Sequence, residues 1–457
     1  MTNPFEIPDA DYTVIRNSQN QRYPLSFQQE GGPEDLAPNN TVVTVLRVRG
    51  EVRIDALEGA LADLVDRHEA LRTRLTHGEP DGPAGYQEVV PPRPVVFTVR
   101  DDPLAPGLAR DDRAIELYRL VSDEDILFSE TPSLRAALHR FDGRDAVLTL
   151  LSHHLFGDNW SSSLLRRDLA AFYTARVSGT PHALPAATPY REYAVRQRNF
   201  SQGEQAAAAV RYWTGKLSGA GLQTLPTDRP NGPDALTASS AVRNFTIDLG
   251  FLAKITESAA RYRCTPYHLF LTAAAVFDER VRGSADVTLL TVNNGRAVKG
   301  FHNTVGFISN PVPIRLNLDD GHTYRDIMRL ARKATLEAQR NLIPFRLILE
   351  ANPDVLKPYG DPWSVPVVFN YARPRATASE IQFADGVTPV AMPPGMPSRN
   401  HRGVCPWGFT LLPTGEVRGI VEYEPGLIDA ATVDRWIGEF VDLVRVIAEV
   451  PEQAWRT

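Results

Sequence analysis

The stretch SHHLFGDNWS (residues 152–161) decides how this sequence is read. It follows the apolar run AVLTLL (residues 146–151), so two adjacent histidines, an aspartate and an asparagine sit at the end of a buried strand. The side-chain period of a strand is two, so the two rings point to opposite faces as long as the strand persists. One can therefore be a hydrogen-bonded structural residue while the other faces a cavity. An Asp with a buried Arg partner would fix the turn, and Asn159 is a residue type that tolerates positive φ. A single general base is equally compatible with this pattern, because an imidazole of ordinary pKa about 6.5 can take a proton from a nucleophile at neutral pH. A nucleophilic triad fits less well. No Gly-x-Ser-x-Gly elbow occurs, and Ser161, Ser162 and Ser163 lie where a helix starts and serine caps are common. A metal site would need a third ligand that the stretch lacks.

Working outward, 457 residues exceed one ordinary core and favour two or three domains. The net charge of −6 comes without a stripe of Lys and Arg able to neutralise phosphates, which argues against nucleic acid as a partner. The two cysteines, Cys264 and Cys405, have no Cys or His at metal-ligand spacing, so neither a disulfide framework nor a zinc site is expected. The N-terminus carries no secretory pattern and no run is long enough to span a membrane, which leads to the expectation of a cytoplasmic protein.

The first 150 residues alternate strand and helix patterns. TVVTVLRVRG (residues 41–50) reads as a strand, and residues 54–75 place Leu57, Leu61, Leu64, Val65, His68, Leu71 and Leu75 at helical spacing. YQEVV, VVFTVR, LRAALHRF and AVLTLLSHH supply further strands, the last two joined by a turn at residues 142–144. A helix follows at SSLLRRDLAAFYTARV. SGTPHALPAATPY (residues 178–190) lacks a periodic apolar face and predicts the linker between domains. Beyond it the same grammar returns, with helices over 190–205, 264–282 and 430–450 and strands at VTLLTVN, NPVPIRLNL, VPVVFNYA and VRGIVEYEP. The predicted division is 1–178, a linker at 179–190, and 191–457. The fold class is α/β, an α+β sandwich, in two layered halves.

At this point the sequence resembles a known family. HHLFGDN matches the HHxxxDG motif of nonribosomal peptide synthetase condensation domains, members of the chloramphenicol-acetyltransferase-like superfamily. The agreement is collinear. YPLSFQQE (residues 23–30) resembles the opening LSxxQ segment, and DRHEALRTRL (66–75) the RHExLRTxF helix end. TPSLRAALHRF with VLTLLSHH is similar to the hairpin that delivers the motif, and PYREYAVRQ (189–197) to the YxDYAxWQ helix. NNGRAVKGFHNTVGFISNPVPIR (293–315) resembles the GR…VGxFVNTLPLR stretch and NLIPFRLILE (341–350) the PFExLVE stretch, while VVFNY and GIVEYEPGLID resemble two late strands.

The resemblance implies two acetyltransferase-like lobes in a V-shaped pseudo-dimer with a central tunnel. It implies a reaction in which an acyl or aminoacyl thioester, carried on the phosphopantetheine arm of a carrier protein, is attacked by an amine or hydroxyl to give an amide or ester. No permanently bound cofactor is expected. By motif position His154 is the general base or positioning residue, and His153, Asp158 and Asn159 support the motif. The family's motif Asp pairs with an Arg on the preceding helix, for which Arg72 is the candidate and Arg67 the alternative. Trp160, Asn310 and Asn370 fall where the family places tunnel residues, although a strand-end Asn satisfying backbone groups is an equal reading for the last two. Backbone N–H groups of residues 154–159 are candidates to hold the oxyanion of the tetrahedral intermediate. Three positions depart from the family pattern: Asn159 replaces the motif glycine, Arg346 replaces the Glu of PFExL, and the opening motif lacks its usual aromatic.

Because the chain starts with Met1 and shows no adenylation or carrier sequence, a free-standing, monomeric enzyme is expected, with its acyl or peptidyl carrier in trans and a small-molecule or carrier-bound acceptor. The setting implied is antibiotic and other secondary metabolism. NPFEIPDADYTVIRNSQNQRYPLS (residues 3–26) resembles the opening of the small MbtH-like proteins and is read as an extra strand. Two alternatives stay open: a non-catalytic condensation-like docking domain, and a coenzyme-A-dependent O-acyltransferase of the same superfamily.

Overall fold

The structure, a computed structural model, describes residues 15–16, 21–31, 40–78, 85–104, 108–122, 124–222, 224–232, 240–296, 298–361, 364–372, 381, 383–384, 386–390, 405–412 and 416–456. Its elements run β1 (Ile15–Arg16), β2 (Gln21–Pro24), α1 (Phe27–Glu30), β3 (Thr41–Arg49), α2 (Ile54–Arg67), β4 (Thr73–Thr76), β5 (Tyr86–Val89), β6 (Val96–Asp101), α3 (Arg110–Ser122), β7 (Arg135–Asp142), β8 (Asp145–His153) and α4 (Asn159–Ser178). There follow α5 (Tyr190–Ser201), α6 (Glu204–Leu217), β9 (Ala241–Ile247), α7 (Leu249–Arg261), α8 (Pro266–Arg282), β10 (Asp286–Asn293), β11 (Asn310–Asn317) and α9 (Tyr324–Arg340). The chain closes with α10 (Phe345–Ala351), α11 (Pro353–Gly360), β12 (Val367–Ala372), β13 (Thr388–Val390), β14 (Cys405–Leu411), β15 (Val417–Tyr423) and α12 (Ala430–Glu449).

Two compact units result, each a sheet covered by helices. The first comprises residues 1–203, 294–309 and 375–399; the second comprises 204–293, 310–374 and 400–457. The segment 179–190, expected to link the lobes, instead lies inside the first unit. It is pinned there by side chains of that unit: Arg67 donates to the Pro185 carbonyl, Asn303 to Ala186 O, and Thr304 Oγ1 to Thr188 O at 2.7 Å. Among the described residues the chain passes between the units at 203/204, 293/294 and 309/310. The expected N-terminal strand is met at Ile15–Arg16, which pair antiparallel with Arg22 and Gln21; residues 1–14 and 17–20 lie outside the described residues.

In the first unit the described strands order as β13-β3-β8-β7-β6, with a second sheet β1-β2-β5-β4. All nine residues of β8 are buried. One face of the sheet, with Leu46, Val48, Ala146, Leu148 and Leu150, packs on Leu57, Leu61 and Leu64 of α2 and Leu164, Leu165 and Leu169 of α4. The other face, with Val45 and Val147, meets Ala114, Leu117 and Tyr118 of α3. A strand covered on both sides reads as a continuous apolar run, which is why residues 146–151 show no polar alternation. The helix expected over 54–75 stops at Arg67. His68 takes an extended backbone (φ −106°, ψ 90°), a short 3-10 turn spans Glu69–Arg72, and β4 begins at Thr73. Leu71 and Leu75 stay buried, but from the turn and the strand rather than from the helix.

In the second unit the described strands order as β11-β10-β12-β14-β15-β9, with β10, β12 and β14 mutually parallel. Its core is aromatic: Phe270 of α8 stacks on Phe409 of β14 at 5.1 Å, and Phe409 meets Phe440 of α12 at 5.2 Å. No described helix is long and apolar enough to cross a membrane.

Candidate functional site

β8 runs its last residue, His153, into a 3-10 turn over His154–Phe156, and Asp158 then caps the N-terminus of α4. His153 is fully buried between Phe128 and Phe156, ring centroids 6.1 and 6.3 Å away. Its Nδ1 accepts from Leu155 N at 3.2 Å, so that nitrogen must carry a lone pair. The ring is thus engaged within the turn itself. His154 differs: it is half-buried, its backbone N donates to Asn40 O at 2.8 Å, and its ring lies 4.3 Å from that of Phe307.

Asp158 is the most densely bonded group of the site. Its Oδ1 accepts from Ser161 N (2.9 Å), Ser161 Oγ (2.8 Å) and Arg296 Nη2 (3.0 Å). Its Oδ2 accepts from Arg296 Nη1 (2.8 Å), Ile308 N (3.1 Å) and Ser309 N (3.0 Å). Burial acts to raise the pKa of this carboxyl, but the Arg296 charge and these hydrogen bonds outweigh burial and hold it below the ordinary carboxylate value. The partner expected from the preceding helix is therefore corrected. Arg72 donates to the carbonyls of Val65 and Val90, closing the end of α2, and Arg67 pairs with Asp168. The cation that meets Asp158 comes from 138 residues further on, in the NNGR segment. The sequence signal was present, since a buried Asp needs a counter-charge and Gly295-Arg296 stands directly after a strand, but spacing alone could not connect the two.

Residues 294–309 run back from β10 into the first unit and lie along the motif. Trp160 Nε1 donates to His302 O at 3.0 Å, and Arg167 Nη1 to Asn303 Oδ1 at 3.0 Å. Tyr190 donates to Phe307 O at 2.7 Å and shares a 2.8 Å bond with Ser26 Oγ; burial raises its pKa well above the ordinary phenol value, so it remains a donor. Gly306 has φ +156°, and a Cβ there would come within 1.9 Å of the Tyr190 ring, so glycine alone fits. The opening segment thus joins the site through Ser26, whose side chain caps α1 and whose backbone N donates to the buried Gln29 Oε1. Three segments remote in sequence (23–30, 189–197 and 294–309) converge on the strip that carries His154.

Asn159 is the first residue of α4 and is exposed. Among the described residues only Arg263 departs from negative φ outside glycine, so the position of the motif glycine needs no left-handed backbone here and Asn causes no strain. The loop N–H groups considered as oxyanion donors are largely engaged: His154 N by Asn40 O, Leu155 N by His153 and Gly157 N by His154 O. Asn310 begins β11 in the second unit. It donates to Ile343 O at 2.9 Å and accepts from Phe345 N at 2.8 Å, the backbone-satisfying role. Asn370, half-buried in β12 of the second unit, pairs in register with Gly408. Arg346 forms an exposed pair with Glu350 one turn on, at 2.8 Å.

Beside the site, His68 and Asp168 join the end of α2 to α4. Asp168 is fully buried and accepts from His68 Nε2 (2.9 Å), Arg67 Nε (2.9 Å) and Arg167 Nε (2.6 Å). Burial acts to raise its pKa, yet the bonds from His68 and Arg167 bring it down to about 2. Burial also lowers the His68 pKa, more than the Asp168 contact raises it, leaving a neutral imidazole donating to an ionised carboxylate. Both shifts have one sign. As pH falls below about 6.5 the unfolded chain protonates His68 before the folded chain does, and below about 4 it protonates the carboxylate first, so stability is lost on acidification. The Asp168 share amounts to about 2 kcal/mol, fully present near neutrality and lost as pH falls through 4 towards 2. Urea titrations at pH 7, 4 and 2 should show this loss in wild type and a flatter profile in Asp168→Asn; parallel profiles would refute the assignment.

Comparisons with known proteins bear on the family and the fold. Residues 19–457 match the family model described as Condensation domain. The phosphinothricin tripeptide synthetase PhsC of Streptomyces viridochromogenes is 29% identical over 440 residues, 94% of this chain; the match spans 39% of that synthetase. Among solved structures, SgcC5 of Streptomyces globisporus superposes with a TM-score of 0.82 at 27% identity, covering 94% of this chain and 100% of that one. The X-domain from teicoplanin biosynthesis, in complex with OxyB, shares the fold at 22% identity, with a TM-score of 0.77 and coverage of 97% and 96%. With a family model matched along nearly the whole sequence, and with the motif strand, its capping Asp and the returning loop assembled in one unit, the chain belongs to the Condensation domain family.

Proposed function

We propose that this chain transfers an acyl or aminoacyl group from the phosphopantetheine thioester of a carrier protein to an amine or hydroxyl acceptor, forming an amide or ester, in the cytoplasm. The observation that carries the reading is the contrast between the paired histidines. His153 is enclosed and its Nδ1 is used within the turn, whereas His154 is half-buried on a turn braced by the Asp158–Arg296 pair. A neutral imidazole held there can accept the acceptor's proton as its nitrogen or oxygen attacks the thioester carbonyl, and can return a proton when the thiolate leaves. Placing the side chain on a rigid, multiply bonded loop lowers the reorganisation needed at the moment of reaction.

The test loads a carrier protein with candidate acyl thioesters and follows acyl loss and product by intact mass after adding amine or alcohol acceptors. Product formation dependent on the chain supports the reading. Carrier or partner-enzyme binding with no acyl loss across the panel would move the function to a docking role. Equal turnover with acyl-coenzyme A in place of the loaded carrier would make it a coenzyme-A-dependent acyltransferase.

A further inference from the structure

Four positions of α4 stand on one stripe: Asn159, Ser162, Ser163 and Arg166. Residues three, four and seven apart on a helix share a face, and the stripe starts immediately after Asp158. Arg166 is half-buried at its far end, and within the stripe its Nη2 makes one long hydrogen bond, 3.3 Å, to Ser163 Oγ. Its Nε is buried with no hydrogen-bond partner among the described residues, and the same holds for Ser162 Oγ one turn earlier. The contrast with its neighbours is sharp, because Arg167 engages Asp168 and Asn303, and Arg176 engages Asp63 through two bonds. Arg166 has no acidic partner among the described residues. Burial alone draws its pKa below that of a free guanidinium, although the group stays cationic at neutral pH. A cation withdrawn from water without a counter-charge costs stability, and a carboxylate placed against it would offset that cost.

The position of the guanidinium follows from helix geometry. Arg166 lies about 10 Å along the axis from Asn159 at 1.5 Å per residue. Long helical side chains lean towards the N-terminus, and the bond to Ser163 shows that this one does. Its head therefore sits beside the second turn of α4, the helix whose N-terminal cap, Asp158, follows the turn that holds His154. The extended arm from a pantetheine phosphate to its sulfur is much longer than that separation. A thioester carbonyl at His154 would leave the arm's phosphate well beyond Arg166, whereas an acidic substituent a few bonds from the reacting atoms would fall within its reach.

We infer that Arg166, with Ser162 Oγ as a second donor, receives a carboxylate carried by the substrate and so selects an acidic acyl donor or acceptor. The inference rests on His154 marking the reaction centre. It is tested by binding rather than turnover, so a chain that binds as expected but forms no product would refute the proposed reaction alone.

Calorimetric or ligand-observed NMR titration of the full chain compares matched probes. Succinyl-pantetheine is set against its terminal carboxamide for the donor side, L-alanine against L-alaninamide for the acceptor side, and coenzyme A against pantetheine for phosphate. The expected result is at least a tenfold preference for the carboxylate member of one pair, the strength of one charge-assisted hydrogen bond. Arg166→Gln should abolish the preference, and Arg166→Lys, which keeps the charge without the planar fork, should retain part of it and guard against a folding defect. Equal or undetectable binding of both members in each carboxylate pair overturns the inference, as does a preference that survives Arg166→Gln. A preference for coenzyme A that is lost in Arg166→Gln, with none for carboxylates, would assign the guanidinium to phosphate and overturn it likewise.

Discussion

His154→Ala is expected to lower the rate of carrier-dependent acyl transfer by roughly 10²- to 10⁴-fold, the range associated with removing a positioned general acid–base, while leaving the unfolding midpoint near wild type. The two parts of that expectation have separate causes. The backbone bonds that set the turn, His154 N to Asn40 O and Gly157 N to His154 O, do not involve the imidazole. The ring is half-buried, and its aromatic contact is a tilted one with Phe307, so truncation removes little packing. His153→Ala supplies the control with the opposite pattern. It empties a fully enclosed site between Phe128 and Phe156 and takes the acceptor from Leu155 N, so it should destabilise the first unit by about 2–4 kcal/mol and reduce activity only through that loss. Turnover in His154→Ala within a few-fold of wild type, at equal folded fraction, would remove the base from the mechanism.

Arg296→Gln should destabilise the protein by about 3–5 kcal/mol, because it leaves Asp158 buried without its counter-charge. Both side chains are within 2% of full burial, so solvent does not screen the loss. Glutamine keeps a donor but no charge, and the carboxyl, whose burial already acts to raise its pKa, would protonate and surrender acceptor strength towards Ile308 N and Ser309 N. The turn carrying His154 should shift with it, so activity falls even in the folded fraction. Arg72→Gln, at the position first expected to pair with Asp158, loses hydrogen bonds to carbonyls and should cost about 1–2 kcal/mol without altering the pH dependence of Asp158. Urea titrations of both variants, of Asp158→Asn and of Asp158→Asn with Arg296→Gln decide the matter. The double variant should be less destabilised than the sum of the singles, since residues in one network couple. Equal, small effects of Arg296 and Arg72 would disprove the pairing.

The local elements were legible because each records its own environment. The β-branched run of β3, the hairpin of β7 and β8, and α4 lie where period and turn residues put them. The motif histidines were also separable in principle, since adjacent strand residues face opposite ways. The helix expected over 54–75 was read too long for a physical reason. Its apolar spacing continues through Leu71 and Leu75, and it is the fully buried His68, hydrogen-bonded to Asp168 a hundred residues later, that stands at the break. A Pro- and Ala-rich stretch likewise looked like a linker, yet Arg67, Asn303 and Thr304 bind its carbonyls. Backbone acceptors are present in every residue, so composition does not record whether a distant donor will reach them.

By itself, then, the sequence determined the strands and helix that flank the motif, the identity of the motif and, through collinear short motifs, the family, all of which rest on patterns local to each segment. Tertiary structure alone decided that Arg296 rather than Arg72 neutralises Asp158, that residues 294–309 brace the His154 turn, and that β13 pairs with β3 of the first unit. Those choices join residues more than a hundred positions apart, where no periodicity reaches and only the geometry of the packed chain selects one partner among many of equal chemistry.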